Sequence, residues 1–383
     1  MKINRKIAII QPRIPYYIGG GEIISMKQIK ELSRRDIEID VYTWKIPKSK
    51  QSKYYIDLKK EINNKVNFIE IEIPRKYKYI FKIQAGTTQT RWDSESILFS
   101  TLIQERILEE KYTHILSYYI LDGLFKDIRA KNILYILGVP KKEIKIYEAF
   151  LNFFDITISN SSHVLKNWKK QLETSGKSKN IILPTFSIEE TFDFKKNKYK
   201  NNIFNEKQFN IVFAGRLIKR KGVDILIKSI KKSLKKNSNI FLHILGDGPE
   251  FGNLEKMVQK YNLNKNIKFY GYIEKDIEKY FYFSDLVIFP SREGEGFMGV
   301  VQEAMSVKSC VITTKNNGNE EMITNNKTGY LVKADANELS LKINELFEDR
   351  KKILKIKENA YTYAKNNFSI KKWADEFIKQ IGL

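Results

Sequence analysis

The chain is poor in cysteine, in histidine and in long apolar runs. Its one cysteine, Cys310, excludes an intrachain disulfide. It sits in the apolar string CVITT, which marks it as a small core residue in a chain suited to a reducing compartment. Three histidines (His114, His163 and His243) give no cluster at metal-ligand spacing and no order that points to a nucleophilic triad. No stretch approaches the roughly 20 apolar residues of a membrane span, and MKINRKIAII lacks the apolar core of a secretory signal. These absences set the expectation of a cytoplasmic chain, with contact to a membrane surface left open. Acidic residues are also short: 45 Asp+Glu face 68 Lys+Arg, a net charge of +23. Such an excess attracts nucleotide phosphates, nucleic acid or anionic lipid. Its even spread along a Lys-, Ile- and Asn-rich chain fits a bias of base composition equally well. The basic and aromatic string PRKYKYIFK, Pro74 to Lys82, reads either as a lipid-facing segment or as an ordinary exposed loop.

What is present is a repeated alternation of short apolar runs with amphipathic ones. At 383 residues and 42% hydrophobic content, two domains each have material for a core. KIAIIQP, IEIDVYTW, VNFIEIEI, HILSYYI, NILYILG and DITIS read as strands, and Ile24, Gln28 and Leu32 are spaced along a helix. The pattern restarts at FNIVFAGR, with Val223, Leu226, Ile227 and Ile230 on one helix face, followed by IFLHILGDGPE, IKFYGY, DLVIFPS and CVITT. Strands alternating with helices predict doubly wound parallel sheets. The polar stretch DFKKNKYKNNIFNEKQ separates the halves and places the hinge near Pro184 to Asn205. FSIKKWADEFIKQIGL reads as a terminal amphipathic helix.

Four strings carry chemistry. In SREGEGFMGVVQEAM, Glu295 lies in a Gly-rich turn after a strand, and Glu303 lies one turn into the helix that starts near Gly299. Open α/β sheets bind ligands at the carboxyl ends of their strands. A carboxylate there accepts from neighbouring hydroxyls, and a helix N-terminus offers N–H groups to phosphate. Glu303 has the apolar neighbours Val300, Val301, Ala304 and Met305, and a buried unpaired carboxylate is costly. Gly215 and Arg216 end a strand, and Lys221 and Gly222 open the next helix, where a planar fork and a point charge meet a diphosphate or form a solvated basic turn. LGDGPE is a strand-to-helix turn with a structural role. Gly19, Gly20, Gly21 and Glu22 form a Gly-rich entry to a helix, a general phosphate-binding device.

Together these strings resemble family 4 of the retaining glycosyltransferases, in which two glutamates stand eight positions apart, as Glu295 and Glu303 do here. G-R-x(4)-K-G at Gly215 to Gly222, LGDGPE, and Gly318 and Glu321 in NNGNEEMI match further family motifs. Two departures stand out: Met298 replaces the second Gly of G-F-G, and Asn317 replaces the first Gly of G-G-x-x-E. The family histidine near the sugar has no counterpart, and Leu137 and Gly138 occupy its usual place.

The resemblance implies a GT-B fold, with two Rossmann-like doubly wound α/β domains facing each other across a cleft. It implies an acceptor domain at 1–190, a donor domain at 191–366 and a helix at 367–383 that packs back on the first domain. It implies a metal-independent, retaining transfer from a nucleotide diphosphate sugar, without further cofactor, to a glycan or lipid-linked acceptor. In that scheme Arg216, Lys221 and Glu295 are catalytic. Gly215, Gly222, Gly296, Phe297, Met298, Glu303, Gly318 and Glu321 hold the donor. Gly19, Gly20, Gly21 and Glu22 form the acceptor and phosphate loop. A sugar-nucleotide epimerase, a phosphorylase and a basic nucleic-acid-binding protein are the competing readings.

Overall fold

The computed structural model describes residues 5–62, 66–76, 89–140, 150–175, 178–186, 188, 202–273, 276–292, 294–315 and 318–383. Glu293, Asn316, Asn317 and most of PRKYKYIFK lie outside them, as does much of the expected hinge. The chain divides into two compact units, Met1–Thr185 with Ile370–Leu383, and Phe186–Ser369.

In the first unit the described strands are β1 (Lys6–Ile10), β2 (Glu38–Trp44), β3 (Asn67–Ile71), β4 (His114–Ser117), β5 (Lys131–Ile136), β6 (Ile156–Ser159) and β7 (Lys179–Ile182). They pair in parallel in the order β3-β2-β1-β4-β5-β6-β7. Helices α1 (Gly20–Leu32), α2 (Lys53–Ile62), α3 (Gln89–Glu109) and α4 (Ser162–Ser175) connect them. HILSYYI stops being a strand at Ser117, and Ile120–Gly123 turns into a 3-10 helix. That turn places Asp122 against Arg13, an ion pair that a longer strand could not make.

The second unit holds β8 (Phe209–Ala214), β9 (Ile240–Leu245), β10 (Ile267–Gly271), β11 (Leu286–Phe289), β12 (Val311–Thr314) and β13 (Tyr330–Val332), with α5 (Val223–Ser233), α6 (Phe251–Lys260), α7 (Ile277–Phe283), α8 (Gly299–Ser306), α9 (Ala336–Glu348) and α10 (Arg350–Asn367). Its strand order is β10-β9-β8-β11-β12-β13, again all parallel. The strand period of two explains why FNIVFA is buried throughout and apolar at every position but Asn210. Phe209, Ile211 and Phe213 join one core cluster with Leu226 and Ile230, while Val212 and Ala214 join a second with Val301 and Ala304. Cys310 is fully buried, and burial pushes its thiol up to about 12. His243 is a core histidine between Asn210 and Tyr270, and burial, with Lys268 nearby, pulls its imidazole down to about 4.

The last helix, α11 (Ile370–Ile381), belongs to the first unit. Its buried face, Trp373, Ala374 and Phe377, is the apolar stripe of the sequence. Trp373 Nε1 donates to the Tyr135 hydroxyl (3.1 Å), and Arg35 pairs with Asp375 (2.8 Å).

In both sheets the chain leaves its first strand in one direction and returns to the far side. The loops after β1 and β4, and those after β8 and β11, therefore diverge. Such a switch point is where open α/β sheets bind ligands.

Candidate functional site

The switch point of the second unit is assembled by one glycine. After β8 the chain forms a 3-10 turn, Lys219–Lys221, and Gly222 ends it in the left-handed region (φ 68°) before α5 begins. A Cβ at Gly222 would stand 2.0 Å from the Pro290 carbonyl oxygen at the end of β11. Only glycine combines that backbone angle with that approach. The basic turn is thereby pressed against the root of the Glu295 loop. LGDGPE holds it from the other side: Leu217 N donates to Asp247 O (2.8 Å), Glu250 N to Leu217 O (2.9 Å) and Gly215 N to Leu245 O (2.9 Å). A Cβ at Gly246 (φ 142°) would meet the Gly215 carbonyl at 1.9 Å. Both glycines serve backbone packing.

Of the expected site residues, Lys221, Glu295 and Met298 come into direct contact. Lys221 Nζ lies 3.1 Å from Glu295 Oε1 and 3.2 Å from Met298 Sδ. Arg220, which the motif reading passed over, lies 3.3 Å from the same carboxylate oxygen and donates to Gly294 O (2.7 Å). Glu295 is only 5% exposed. Burial pushes its carboxyl up, but Lys221, Arg220 and Arg216 outweigh that and hold it below the usual carboxylate range. Burial likewise pulls the Lys221 ammonium below the usual lysine range; Glu295 offsets only part of this, and Arg220 and Arg216 add to it. A carboxylate stabilised beside an ammonium that is not describes a place with more cations than anions.

The third loop, after β12, closes on the backbone of the same segment. Gly318 N donates to Glu295 O (3.0 Å), and Asn319 Oδ1 accepts from Met298 N (3.3 Å). Asn319, like Arg220, escaped the motif reading, whereas Glu321 is exposed on the same turn. Gly296, Phe297 and Met298 are buried, and the Phe297 ring packs edge-on to Phe368 (5.9 Å). Gly215 and Arg216 are half-buried at the end of β8. Glu303 is half-buried, one turn into α8, which starts at Gly299 as expected.

In the first unit, Gly19 caps α1, and Gly20 and Gly21 open it. A Cβ at Gly19 would fall 2.5 Å from Glu22 Oε2, while one at Gly20 would meet nothing. The space at this helix start is filled by the chain's own carboxylate. Among the described residues no group of three or more His, Cys, Asp or Glu could hold a metal ion, and no helix is long and apolar enough to cross a membrane.

Residues 194–363 match the family Glycosyl transferases group 1. The chain has the GT-B fold, and its second unit carries the match to that family. It is similar to an uncharacterized glycosyltransferase, MJ1069, of Methanocaldococcus jannaschii (28% identity, 82% of this chain and 79% of that protein). It is similar to the capsular polysaccharide biosynthesis glycosyltransferase CapM of Staphylococcus aureus at 27% identity, covering 54% of this chain and 57% of CapM. Its fold is that of Anabaena HepE, solved in complex with UDP and glucose (TM-score 0.76, 16% identity, 99% of both chains). The family match spans the basic turn, the Glu295 loop and the Gly318–Glu321 turn.

Proposed function

We propose that the chain is a retaining, family 4 enzyme that moves a sugar from a nucleoside diphosphate sugar to an acceptor hydroxyl. The observation that carries this reading is the cluster of cations at the β8–β11 switch point, where Lys221 and Arg220 lie against the buried Glu295 and Arg216 is close enough to lower its carboxyl. A diphosphate is the anion such a cluster suits. Arg216 and Lys221 stabilise the charge that grows on the leaving diphosphate, preorganised electrostatics of the kind that dominates many enzymes. Glu295 positions the donor sugar, and Glu303 takes the ribose diol. Gly215, Gly222, Gly296, Phe297, Met298, Gly318 and Glu321 form the backbone and walls around the donor. The Gly19–Glu22 segment serves the acceptor. The leaving phosphate accepts the acceptor's proton on the same face, so no side chain is assigned as general base.

The UDP of the HepE structure makes UDP the first nucleotide to test. The name of CapM favours assembly of a polysaccharide or other glycan, and we place that reaction in the cytoplasm, on a glycan or lipid-linked acceptor beside a membrane. The test is a panel of nucleotide sugars scored by thermal stabilisation, followed by NMR of the product from a labelled donor. Retained anomeric configuration in a new glycoside supports the proposal, whereas an epimerised donor or a sugar phosphate selects the epimerase or the phosphorylase. Glu303→Ala should weaken nucleotide binding by about 1.5–3 kcal/mol, the size of a charge-assisted hydrogen bond. Equal calorimetric affinity in wild type and variant contradicts the ribose role.

A further inference from the structure

The two loops that build the basic pocket are fastened to each other by a pair of arginines. Arg220, in the turn after β8, reaches across to the loop after β11. Its Nη1 donates to Gly294 O (2.7 Å) and lies 3.3 Å from Glu295 Oε1. Arg292, in the loop after β11, reaches back. Its backbone N donates to Arg220 O (2.8 Å), its Nη1 donates to Lys219 O, and its Nη2 donates to Asp224 Oδ2 (2.8 Å) in the first turn of α5. Each guanidinium thus bonds a backbone carbonyl and a carboxylate of the opposite loop. The planar guanidinium holds its donors in fixed directions, which a freely rotating ammonium does not.

We infer that Arg220 and Arg292 form a reciprocal clasp that positions Glu295 against Lys221, and that Arg220 is a positioning residue rather than a diphosphate ligand. This rests on the proposed donor site. Arg220 has its Nη1 turned to Gly294 and Glu295, while Lys221 and Arg216 supply further positive charge. The clasp fixes the loop on both sides of Glu295: Arg292 and Gly294 are tied to the basic turn, and the Glu295 carbonyl accepts from Gly318 N (3.0 Å). A carboxylate held within a fraction of an ångström is what positioning a reacting sugar requires.

Two measurements test the clasp. In ligand-free protein, hydrogen exchange of the 291–298 segment is compared among wild type, Arg220→Ala and Arg292→Ala. Both variants should exchange at least tenfold faster there, with the α9–α10 region unchanged. Unchanged exchange in the loop overturns the clasp, and this arm reads the loop whether or not the chain is a transferase. In the second arm, nucleoside diphosphate release is followed with UDP-glucose, UDP-N-acetylglucosamine and GDP-mannose, using the fastest donor. A double-mutant cycle then pairs Arg220→Ala with Glu295→Gln. Arg220→Ala should lower kcat at least tenfold in the wild-type background and less than twofold in the Glu295→Gln background, with KM for the donor within threefold. Additive losses, or a tenfold rise in the dissociation constant of UDP, make Arg220 a phosphate ligand and overturn the inference. Faster loop exchange with no turnover of any of the three donors keeps the clasp and counts against the donor-site reading instead.

Discussion

After β1 an arginine is sealed between two carboxylates; after β8 three cations gather around one. Arg13 donates through Nε to Glu95 (2.9 Å) and through Nη1 to Asp122 (2.9 Å), and its other η nitrogen reaches Ser96 and Asp122. Trp44 Nε1 and the Tyr16 hydroxyl complete the donors to Glu95, and the guanidinium lies over the Trp92 ring at 4.8 Å. Arg13, Glu95 and Asp122 are 2%, 0% and 1% exposed. The two sheets share their strand order, so topology offers a crevice at both places. Charge balance separates them. The first cluster spends its one cation on two carboxylates and has none left for a ligand, whereas among the described residues Lys221 and Arg220 share Glu295, Arg216 lies near it, and none of the three is sealed from solvent. A switch point is a location, and uncompensated charge is what makes it a candidate anion site.

The contrast can be broken most forcefully at Arg13. Arg13→Ala abandons two buried carboxylates and should cost about 3–5 kcal/mol in denaturant unfolding. Lys221→Ala relieves a desolvated ammonium but takes one cation from Glu295, which keeps Arg220, and should cost less, about 1–2 kcal/mol. Equal losses at the two positions would erase the distinction. The glycines sharpen it at the next level. Gly222→Ala drives a Cβ into the Pro290 carbonyl at a left-handed angle and should cost at least about 1–3 kcal/mol. Gly20→Ala, with open space around it, should leave the melting temperature unchanged within error. A tolerant Gly222 would mean that the loops are not pressed together as described.

Acid gives the smallest effect. Burial raises the Glu95 and Asp122 carboxyls against the pull of Arg13, so their contribution favours low pH and is lost as pH rises through their folded values. Glu295 is lowered by its cations, so its contribution is present above the usual carboxylate range and is lost as pH falls through its folded value. Between about pH 7 and about pH 4, wild type should therefore lose more stability than Glu295→Gln. Parallel losses in urea titrations would contradict the direction assigned to Glu295.

Local pattern made much of this legible. Val223, Leu226, Ile227 and Ile230 are the buried face of α5, and Ile24, Gln28 and Leu32 are buried on α1, because helical spacing alone puts them there. The Glu295–Glu303 spacing and Lys221 were visible as strings. The Arg13 cluster was not: Glu95 and Asp122 lie 82 and 109 positions away, and no periodicity connects them. Arg220 was hidden among three successive cations at Lys219 to Lys221, where sequence cannot tell which one turns inward. Asn319 could have been found, as a small polar residue beside Gly318 that a tight turn favours. The close approaches at the glycines were not legible either: Pro290 O lies against Gly222 and the Glu22 carboxylate against Gly19, partners distant or unpatterned in the sequence.

The central claim is that unbalanced positive charge after β8 grips a diphosphate. Calorimetric titration of UDP and GDP into wild type and into an Arg216→Ala, Lys221→Ala double variant tests it most directly. The account predicts one saturable site for at least one nucleotide on wild type, weakened at least a hundredfold in a double variant that remains folded. Equal affinity in both proteins, or no binding of either nucleotide to wild type, would contradict it.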